Sequence, residues 1–508
     1  MDSRAAYDEL LRRFAEVRDL SSAAALLSWD QETMLPRKGA AARGRQLSTL
    51  AGLRHDRFTD LRIGELLSTC EAAGGAFDDL ARAQLRELRI DWDRATKLPR
   101  DLVEAMAAAE SAALEAWRDA RARSDWRAFA PHLQRLLDLL KRKVAALGFA
   151  ARPYDGLLDD YERGATEAAL EKLFADLRKK LAPLVAAVLV RRDRVDASCV
   201  RVELDEAKQA AFGESVARAM GFDFEAGRID RSAHPFCSGI AFGDVRLTRR
   251  FAKGDLRPAL YGIVHEAGHG LYEQGLPESL DRTPLGEACS LGVHESQSRL
   301  WENVVGRSLP FWRHFLPELR RAFPSEFRGV TAEQMWRAVN QVEASLIRTE
   351  ADELTYNLHV LLRFDLERAL IRGDLAVADV PAAWNSRMKE LLGITPPTDA
   401  DGCLQDIHWS MGALGYFPTY TLGNLYAAQL FDSARRAVPD LDDQIARGDF
   451  SPLREWLREN VHRHGRHWPA AELVTRATGA PPSPDAFLRY VREKFGAIYS
   501  LTPAPAPG

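Results

Sequence analysis

Two histidines and a glutamate near the middle of the chain have the spacing of a metal site. The segment LYGIVHEAGHGLYE places His265 and His269 four residues apart, with Glu266 directly after the first. On an α-helix such histidines share one face, one turn apart, so both imidazoles can reach one ion. Zn²⁺ accepts neutral imidazole and lowers the pKa of a bound water towards about 7, and Glu266 can then take its proton. The segment therefore predicts a zinc site that activates water.

The helix around this pattern has recognisable ends. Asp255 can cap it, Pro258 is tolerated in its first turn and Gly275 can end it. The five-residue pattern is the HExxH arrangement of zinc peptidases, although the bare pattern also occurs in unrelated proteins. Its position on a capped, otherwise apolar helix favours the catalytic interpretation.

A third ligand is expected, because a catalytic zinc site has three protein ligands and one open position. Downstream, the helix-like segment 284–306 offers Glu287, His294, Glu295 and Glu302. The glutamates are eight and seven residues apart, which predicts positions near one helix face and does not choose among them. No histidine completes the HExxHxxGxxH pattern.

Most of the remaining chain has the apolar spacing of helices. Thr331 and Gln334 fit a capping box, and Gly373 a helix end. Apolar stripes at helical spacing are Leu133, Leu136, Leu137, Leu140 and Val144; Leu85, Leu88 and Trp92; Leu170, Phe174, Leu177 and Leu181; and Leu354, Leu358, Leu361, Leu366 and Leu370.

One stretch, from about 199 to 251, has the alternation of strands in VRVEL, HPFCSGIAFG and DVRLTRRF. The expected fold is mainly α, with residues 1–500 forming one large helical body with a groove. A small antiparallel sheet is expected beside the metal-binding helix, with the N-terminal helices as a candidate groove lid. Residues 501–508 form a Pro/Ala tail that we expect to be disordered.

Composition excludes several classes of function. With 69 basic and 73 acidic side chains, the net charge of −4 argues against nucleic-acid binding. No apolar run approaches the ~20 residues of a membrane span, and the charged N-terminus is unlike a signal peptide. Five scattered cysteines without a CxxC pair indicate a cytoplasmic protein rather than a disulfide framework.

Six further segments together resemble the carboxypeptidase Taq family of zinc metallocarboxypeptidases, over nearly the whole chain. They are WDQET (29–33), HPF (234–236), DVRLT (244–248), HESQSR (294–299), IRTEAD (347–352) and GCLQDIHW (402–409), the last leading into GYFPTYTLGN. The resemblance implies a mostly helical fold with a deep substrate groove, and a homodimer that removes single C-terminal residues from peptides with broad specificity. It also implies Glu295 as the third ligand, zinc as the default metal and cobalt as an accepted one. An oligopeptidase that cuts internal bonds of short peptides is the alternative.

Peptide hydrolysis also needs donors for the tetrahedral oxyanion. The resemblance points to His408 and Tyr420, with Tyr416 as a close competitor. A phenol or an imidazolium is chemically suitable, but such residues are also common in protein cores.

An exopeptidase must bind the free terminal carboxylate, which an arginine fork does bidentately. Arg348 is the first candidate, with an ion pair to Asp352 four residues along a predicted helix as its plainer interpretation. Arg246 is the alternative carboxylate ligand.

Other polar residues have open interpretations. His234 and Asp244 either line the groove and orient a zinc ligand, or form a turn and a strand-end cap. An exposed edge strand here could pair with the substrate backbone, which is compatible with broad specificity. Trp29 could mark a lid, a dimer contact or helix packing. His462, His464 and His467, mixed with arginines, indicate a solvated basic face rather than a second metal site.

Overall fold

The computed structural model describes residues 2–501. Within that range the chain forms twenty α-helices and one three-stranded sheet, which confirms the mainly helical fold. The helices are α1 Ser3–Thr33, α2 Ala40–Phe58, α3 Leu61–Ala72, α4 Asp79–Lys97, α5 Arg100–Arg123, α6 Trp126–Ala146, α7 Pro153–Leu158, α8 Glu167–Leu189, α9 Glu206–Met220, α10 Leu256–Glu273, α11 Leu291–Arg299, α12 Leu309–Ala322, α13 Ala332–Val339, α14 Glu353–Arg372, α15 Val380–Leu392, α16 Pro418–Ala437, α17 Leu441–Arg447, α18 Ser451–Asn460, α19 Ala470–Thr478 and α20 Asp485–Tyr499. The predicted tail lies, apart from Leu501, outside the described residues.

The chain divides into two compact units, each assembled from three separate segments. The first unit consists of Met1–Thr96, Ala197–Val339 and Leu430–Pro481. The second unit consists of Lys97–Asp196, Asn340–Gln429 and Pro482–Gly508. The expected single domain with a substrate groove stays a prediction.

The helices follow the predicted apolar stripes and caps. All five stripe residues between Leu133 and Val144 are buried in α6. The Thr331 hydroxyl accepts from the Gln334 amide while the Gln334 side chain accepts from the Thr331 amide, so the predicted capping box opens α13. Gly373 ends α14 at φ 87°, a left-handed conformation that costs glycine little.

The sheet is mixed rather than wholly antiparallel. Its strands are β1 Gly227–Arg231, β2 Cys237–Ala241 and β3 Asp244–Arg249, in the order β1-β3-β2. β2 and β3 form an antiparallel hairpin, but β1 pairs parallel to β3. The antiparallel prediction is wrong for that pair because β3 inserts between β1 and β2, and the hairpin turns the chain back into the direction of β1.

The predicted strand at VRVEL is also wrong. Ser198–Val200 form a 3₁₀ turn, and Asp205 then caps α9 through the amide of Lys208. The helix-forming run that follows Asp205 sets the local structure, and the alternation of apolar residues in 200–204 does not form a strand.

The helix of the HExxH pattern, α10, lies within the first unit between α9, α11 and β3. Gly268 permits its close approach to α11, since a Cβ there would lie 2.7 Å from the Cα of Ser298. Gly270 similarly faces Phe222 and Leu247. Gly268 therefore lets α11 approach close enough for side chains of the two helices to meet.

Candidate metal centre

Capped helix starts orient the candidate ligands. The Asp255 side chain accepts from the amide of Arg257 and starts α10, which carries His265 and His269 on one face. The Ser290 hydroxyl accepts from the amide of Val293 and starts α11, which carries Glu295. Both caps satisfy backbone N–H groups that a helix start leaves unpaired.

Three side chains converge at the contact of α10 and α11. Oε2 of Glu295 lies 3.8 Å from Nε2 of His265 and 3.5 Å from Nε2 of His269. A tetrahedral ion with bonds of about 2.1 Å separates its ligand atoms by about 3.4 Å, so these spacings fit a zinc-sized ion. Within residues 2–501, this is the one group of at least three His, Cys, Asp or Glu side chains with mutual distances, here within 4.8 Å, that suit a metal.

The three glutamates that spacing alone could not distinguish, Glu287, Glu295 and Glu302, lie in different places in the structure. Glu302 approaches His265 from the other side, with Oε2 2.9 Å from Nδ1. Glu287 precedes α11 and contacts Arg18 and Arg466, so the prediction that it shares a helix face with the others is wrong. Its segment is held in turns rather than in a helix.

Glu302 lies in a π-helical segment, Leu300–Val305, that continues α11. Arg299 and Arg307 both donate to its carboxylate. Burial raises the pKa of Glu302, but the hydrogen bond from His265 and the two arginines outweigh it and lower that pKa to about 2. An ionised carboxylate therefore stands behind His265 and orients its ring.

The candidate carboxylate ligand is also held by neighbours. Nε of Arg299 donates to Oε1 of Glu295 at 2.6 Å, and the Ser298 hydroxyl donates to Oε2 at 3.2 Å. Arg299 thereby engages one carboxylate oxygen while the other faces the histidines. This arrangement favours a ligand that uses a single oxygen.

His269 has a different partner behind it. Its Nδ1 lies 2.5 Å from Nδ1 of His294, whose Nε2 lies 2.8 Å from Oε1 of Glu273. Sequence reasoning considered His294 only as a ligand and missed Glu273. The available signal was spacing, because Glu273 follows His269 by one helical turn on α10.

Glu266 lies beside this group and is buried. Burial, followed by the repulsion of Glu295, raises its pKa to about 7, against an opposing effect of His265. A carboxylate with a pKa near neutrality is suited to exchanging protons with water and with a leaving amine.

The strand residues have local partners. His234 is exposed in a bend, and its carbonyl accepts from the Ser232 hydroxyl. Arg246 donates from Nε and Nη2 to Asp244 at 2.8 and 2.9 Å, and its guanidinium lies 4.3 Å from the Trp29 ring centroid. Trp29 thus packs α1 onto the sheet and holds Arg246 through a cation–π contact.

In the second unit, the predicted oxyanion donors form one aromatic cluster. Nε2 of His408 lies 3.1 Å from the Tyr420 hydroxyl. The Tyr416 ring lies 5.1 Å from that of His408 and 5.3 Å from that of Tyr420. Burial, and then Arg348 and Arg363, lower the pKa of His408 to about 4. The histidine is therefore neutral near pH 7, not the imidazolium considered from sequence.

Arg348 belongs to a buried ionic group in the same unit. It opens a 3₁₀ turn, Arg348–Glu350, and Asp352 caps α14 instead of pairing with it along a helix. Its guanidinium donates to Asp406 from Nε and Nη2 and to the Tyr356 hydroxyl from Nη1. Sequence reasoning missed Asp406 and its second partner, Arg363, because they come together only through tertiary structure.

The three C-terminal histidines do not form a solvated basic face together. His462 is buried, its Nε2 lies 2.9 Å from Oε1 of Gln297, and its ring packs on Tyr272. His464 and His467 pack against Trp468. The prediction is therefore wrong for His462, which lies beneath the helix of the metal centre.

Across residues 2–501, none of the helices combines the length and the low polarity needed to cross a bilayer.

The comparisons with known proteins all indicate the same family. Residues 9–495 match the family described as carboxypeptidase Taq (M32) metallopeptidase. The thermostable carboxypeptidase 1 of Thermus thermophilus is 45% identical over 511 residues, covering 98% of this chain and all of the relative. Carboxypeptidase 1 of Bacillus subtilis is 36% identical over 496 residues, covering 97% of this chain and 98% of the relative.

Solved structures agree with the sequence matches. The crystal structure of an M32 carboxypeptidase from Deinococcus radiodurans has a TM-score of 0.95 at 42% identity, covering 98% of this chain and 100% of that one. A metallopeptidase family implies a divalent metal. The chain therefore belongs to the carboxypeptidase Taq (M32) family and is a metallocarboxypeptidase, a hydrolase of peptide bonds.

Proposed function

We propose that this metallocarboxypeptidase removes single C-terminal residues from peptides with a Zn²⁺ ion held by His265, His269 and Glu295. The observation that carries the proposal is the convergence of two Nε2 atoms and one carboxylate oxygen at spacings that fit a tetrahedral ion. Bound at this place, the metal would supply Lewis acidity and an acidified water. Cobalt, which accepts the same donor set, is the expected substitute.

Glu266 is the proposed general base. It takes a proton from the attacking water and then delivers it to the leaving amine, so the same carboxyl group serves as base and as acid. Its burial and its raised pKa, about 7, suit both steps near neutral pH.

His408 and Tyr420 are the proposed donors to the developing oxyanion. Neutral His408 and the Tyr420 phenol have one hydrogen each to donate, and in their mutual hydrogen bond one of them donates to the other. Both can therefore donate to an oxyanion only when substrate replaces that bond. Tyr416, in the same aromatic cluster, is the competing donor.

Arg348 is the proposed anchor for the free terminal carboxylate. Within the described residues, three of its five N–H groups donate to Asp406 and Tyr356, which leaves two for a substrate. Arg246 is the weaker candidate because the carboxylate of Asp244 pairs with its Nε and Nη2 and balances its charge. Arg348, in contrast, shares the carboxylate of Asp406 with Arg363.

Broad specificity is proposed to come from backbone recognition. The strand order leaves β1 and β2 at the sheet edges, and a peptide that pairs with an edge is held irrespective of its side chains. His234, exposed in the bend between these strands, is a proposed contact for such a peptide. A homodimer and a cytoplasmic location complete the proposal, and light scattering of the purified protein tests the first.

The decisive experiment compares a peptide with its C-terminally amidated twin by mass spectrometry, with and without chelator. The carboxypeptidase proposal expects stepwise loss of terminal residues from the free peptide alone, abolished by chelator and restored by Zn²⁺. Equal cleavage of both peptides at internal bonds would instead establish the oligopeptidase alternative. Metal analysis of the active protein separates zinc from other divalent ions.

A further inference from the structure

We propose that His294 and Glu273 form a relay that positions the metal ligand His269 and sets its affinity for the ion. The inference rests on the proposed metal centre and adds two positioning residues to it. His294 precedes Glu295 on α11, and Glu273 lies one turn beyond His269 on α10. α10 thus contributes one member of the relay and two ligands, and α11 contributes the other member and the third ligand.

The proton positions along the relay follow from the contacts. If Nε2 of His269 binds the metal through its lone pair, Nδ1 of the same ring carries the hydrogen. The short contact between the two Nδ1 atoms then requires His269 to donate and His294 to accept. With its Nδ1 lone pair used, neutral His294 carries its hydrogen on Nε2 and donates to Oε1 of Glu273. Only this placement of the hydrogens gives every donor in the relay an acceptor.

The two histidine ligands are therefore supported unequally. His265 contacts the carboxylate of Glu302 directly, whereas the imidazole of His294 separates His269 from the carboxylate of Glu273. A carboxylate behind a ligand raises the basicity of the imidazole and fixes its ring. We infer that Glu273 acts in this way on His269 through His294.

Packing holds the relay in place. The His294 ring lies 4.5 Å from the ring of His269 and 5.4 Å from that of Tyr272. On the other side, a Cβ at Gly239 would lie 2.4 Å from Oε2 of Glu273, so this glycine of β2 leaves the space that the carboxylate occupies. The relay therefore has a fixed geometry, and substitutions that preserve its hydrogen bonds can be told from those that remove them.

The test measures zinc affinity of the full chain by competition with a chelator, for wild type, His294→Leu and His294→Gln. The leucine variant removes the acceptor and is expected to weaken zinc binding about 10- to 100-fold. The glutamine variant can accept from His269 with its oxygen and donate to Glu273 with its nitrogen, so binding should return to within about threefold of wild type. The Co²⁺ absorption spectrum is expected to shift for leucine and to be restored for glutamine.

The outcomes separate the relay from the proposed function. If the wild-type protein does not bind one zinc ion per chain, the proposed metal centre is wrong. The relay is wrong if wild type binds one zinc ion and His294→Leu binds it with unchanged affinity. It is also wrong if both variants lose the same affinity. Neither result contradicts the proposed metal centre. If His294→Leu does not fold, Glu273→Gln carries the test, because it retains the shape and removes the charge. Weakened zinc binding in that variant supports the relay, and unchanged binding contradicts it.

Discussion

Asp406 joins Arg348 to Arg363 in the interior of the second unit. One carboxylate oxygen accepts from Nε and Nη2 of Arg348 at 3.0 and 2.9 Å, and the other accepts from Nε of Arg363 at 2.6 Å. Burial raises the pKa of Asp406, but the two guanidinium groups outweigh it and hold that pKa well below its usual range. Two cations share one anion, so the group keeps a net positive charge, which suits the binding of a carboxylate.

Asp406→Asn is expected to lower the free energy of unfolding by about 3 kcal/mol, because it leaves two buried guanidinium groups without their anion. Urea unfolding monitored by circular dichroism measures the change. Asp193→Asn, at a carboxylate with a 96% exposed side chain, is the control and should stay within about 0.5 kcal/mol of wild type. Equal stability of the two variants would contradict a structural role for the shared anion.

Arg348→Lys is expected to raise KM for peptides with a free C-terminus by about tenfold or more. Lysine keeps the charge but lacks the planar fork that binds a carboxylate through two parallel hydrogen bonds. Initial-rate kinetics on a short peptide measure KM and kcat separately. The same substitution at Arg246 is the comparison, and a larger rise in KM there would move the anchor to Arg246.

Glu266→Gln is expected to retain the metal and to lose activity by about 10²- to 10⁴-fold, the usual contribution of a general base. Glutamine preserves the shape of the side chain but cannot accept a proton from water. Metal content and kcat are measured on the same preparation. Glu278→Gln, at an exposed residue of the same unit, controls for the loss of one carboxylate. Turnover within tenfold of wild type in Glu266→Gln would exclude the assigned base.

Acid is expected to destabilise the protein through His462. Burial, and then Arg458 and His294, lower the pKa of this histidine to about 3. The pKa of an unfolded histidine is about 6.5, so as pH falls the unfolded chain takes up the proton first, and stability is lost between about pH 7 and pH 3. Relative to His462→Gln, wild type should lose about 1 kcal/mol between about pH 7.5 and pH 5.5.

Urea unfolding at both pH values, with chelator present throughout, measures this difference without a contribution from metal release. His55→Gln, at an exposed histidine of α2, is the matched control for the loss of an imidazole outside the buried core. A pH-independent difference for His462→Gln would mean that the folded protein protonates His462 as readily as the unfolded chain.

Metal removal is expected to lower the free energy of unfolding. An ion that binds only the folded state stabilises it by about 4 kcal/mol when its free concentration is about 1,000 times the dissociation constant. Unfolding in chelator and in added Zn²⁺ measures the difference, and Mg²⁺ serves as the control because it prefers six oxygen ligands. Equal stabilisation by both ions would contradict a site of two nitrogens and one oxygen.

The elements that carry the metal centre were predictable because their signals are local. The Asp255 cap, the HExxH spacing and the apolar faces each depend on residues that are close together in sequence, within a single helix. The choice between Glu295 and Glu302 as the third ligand was not predictable, since positions seven residues apart lie on nearly the same side of a helix. In the structure a π-helical segment starts after Arg299, and the two carboxylates lie near opposite nitrogens of the His265 ring, Glu295 near Nε2 and Glu302 at Nδ1.

Partners distant in sequence escaped prediction for a different reason. Asp406 and Arg363 share no motif spacing, and their pairing depends on how α14 packs against a loop. His462 resembled a surface histidine because arginines surround it in sequence, yet its side chain is buried. Neighbours along the chain describe solvent exposure poorly in a 3₁₀ turn, where successive side chains point in different directions.

The interleaved segments also determine the order in which the candidate ligands and the residues packed around them are synthesised. His462, from the last segment of the first unit, bonds Gln297 across 165 residues and packs beneath Tyr272 of α10. At ribosomal rates of about 5–20 residues per second, α10 and α11 emerge roughly ten to thirty seconds before it. All three candidate ligands thus exist on the nascent chain before His462, which packs against Tyr272 on the ligand-bearing helix, has been translated.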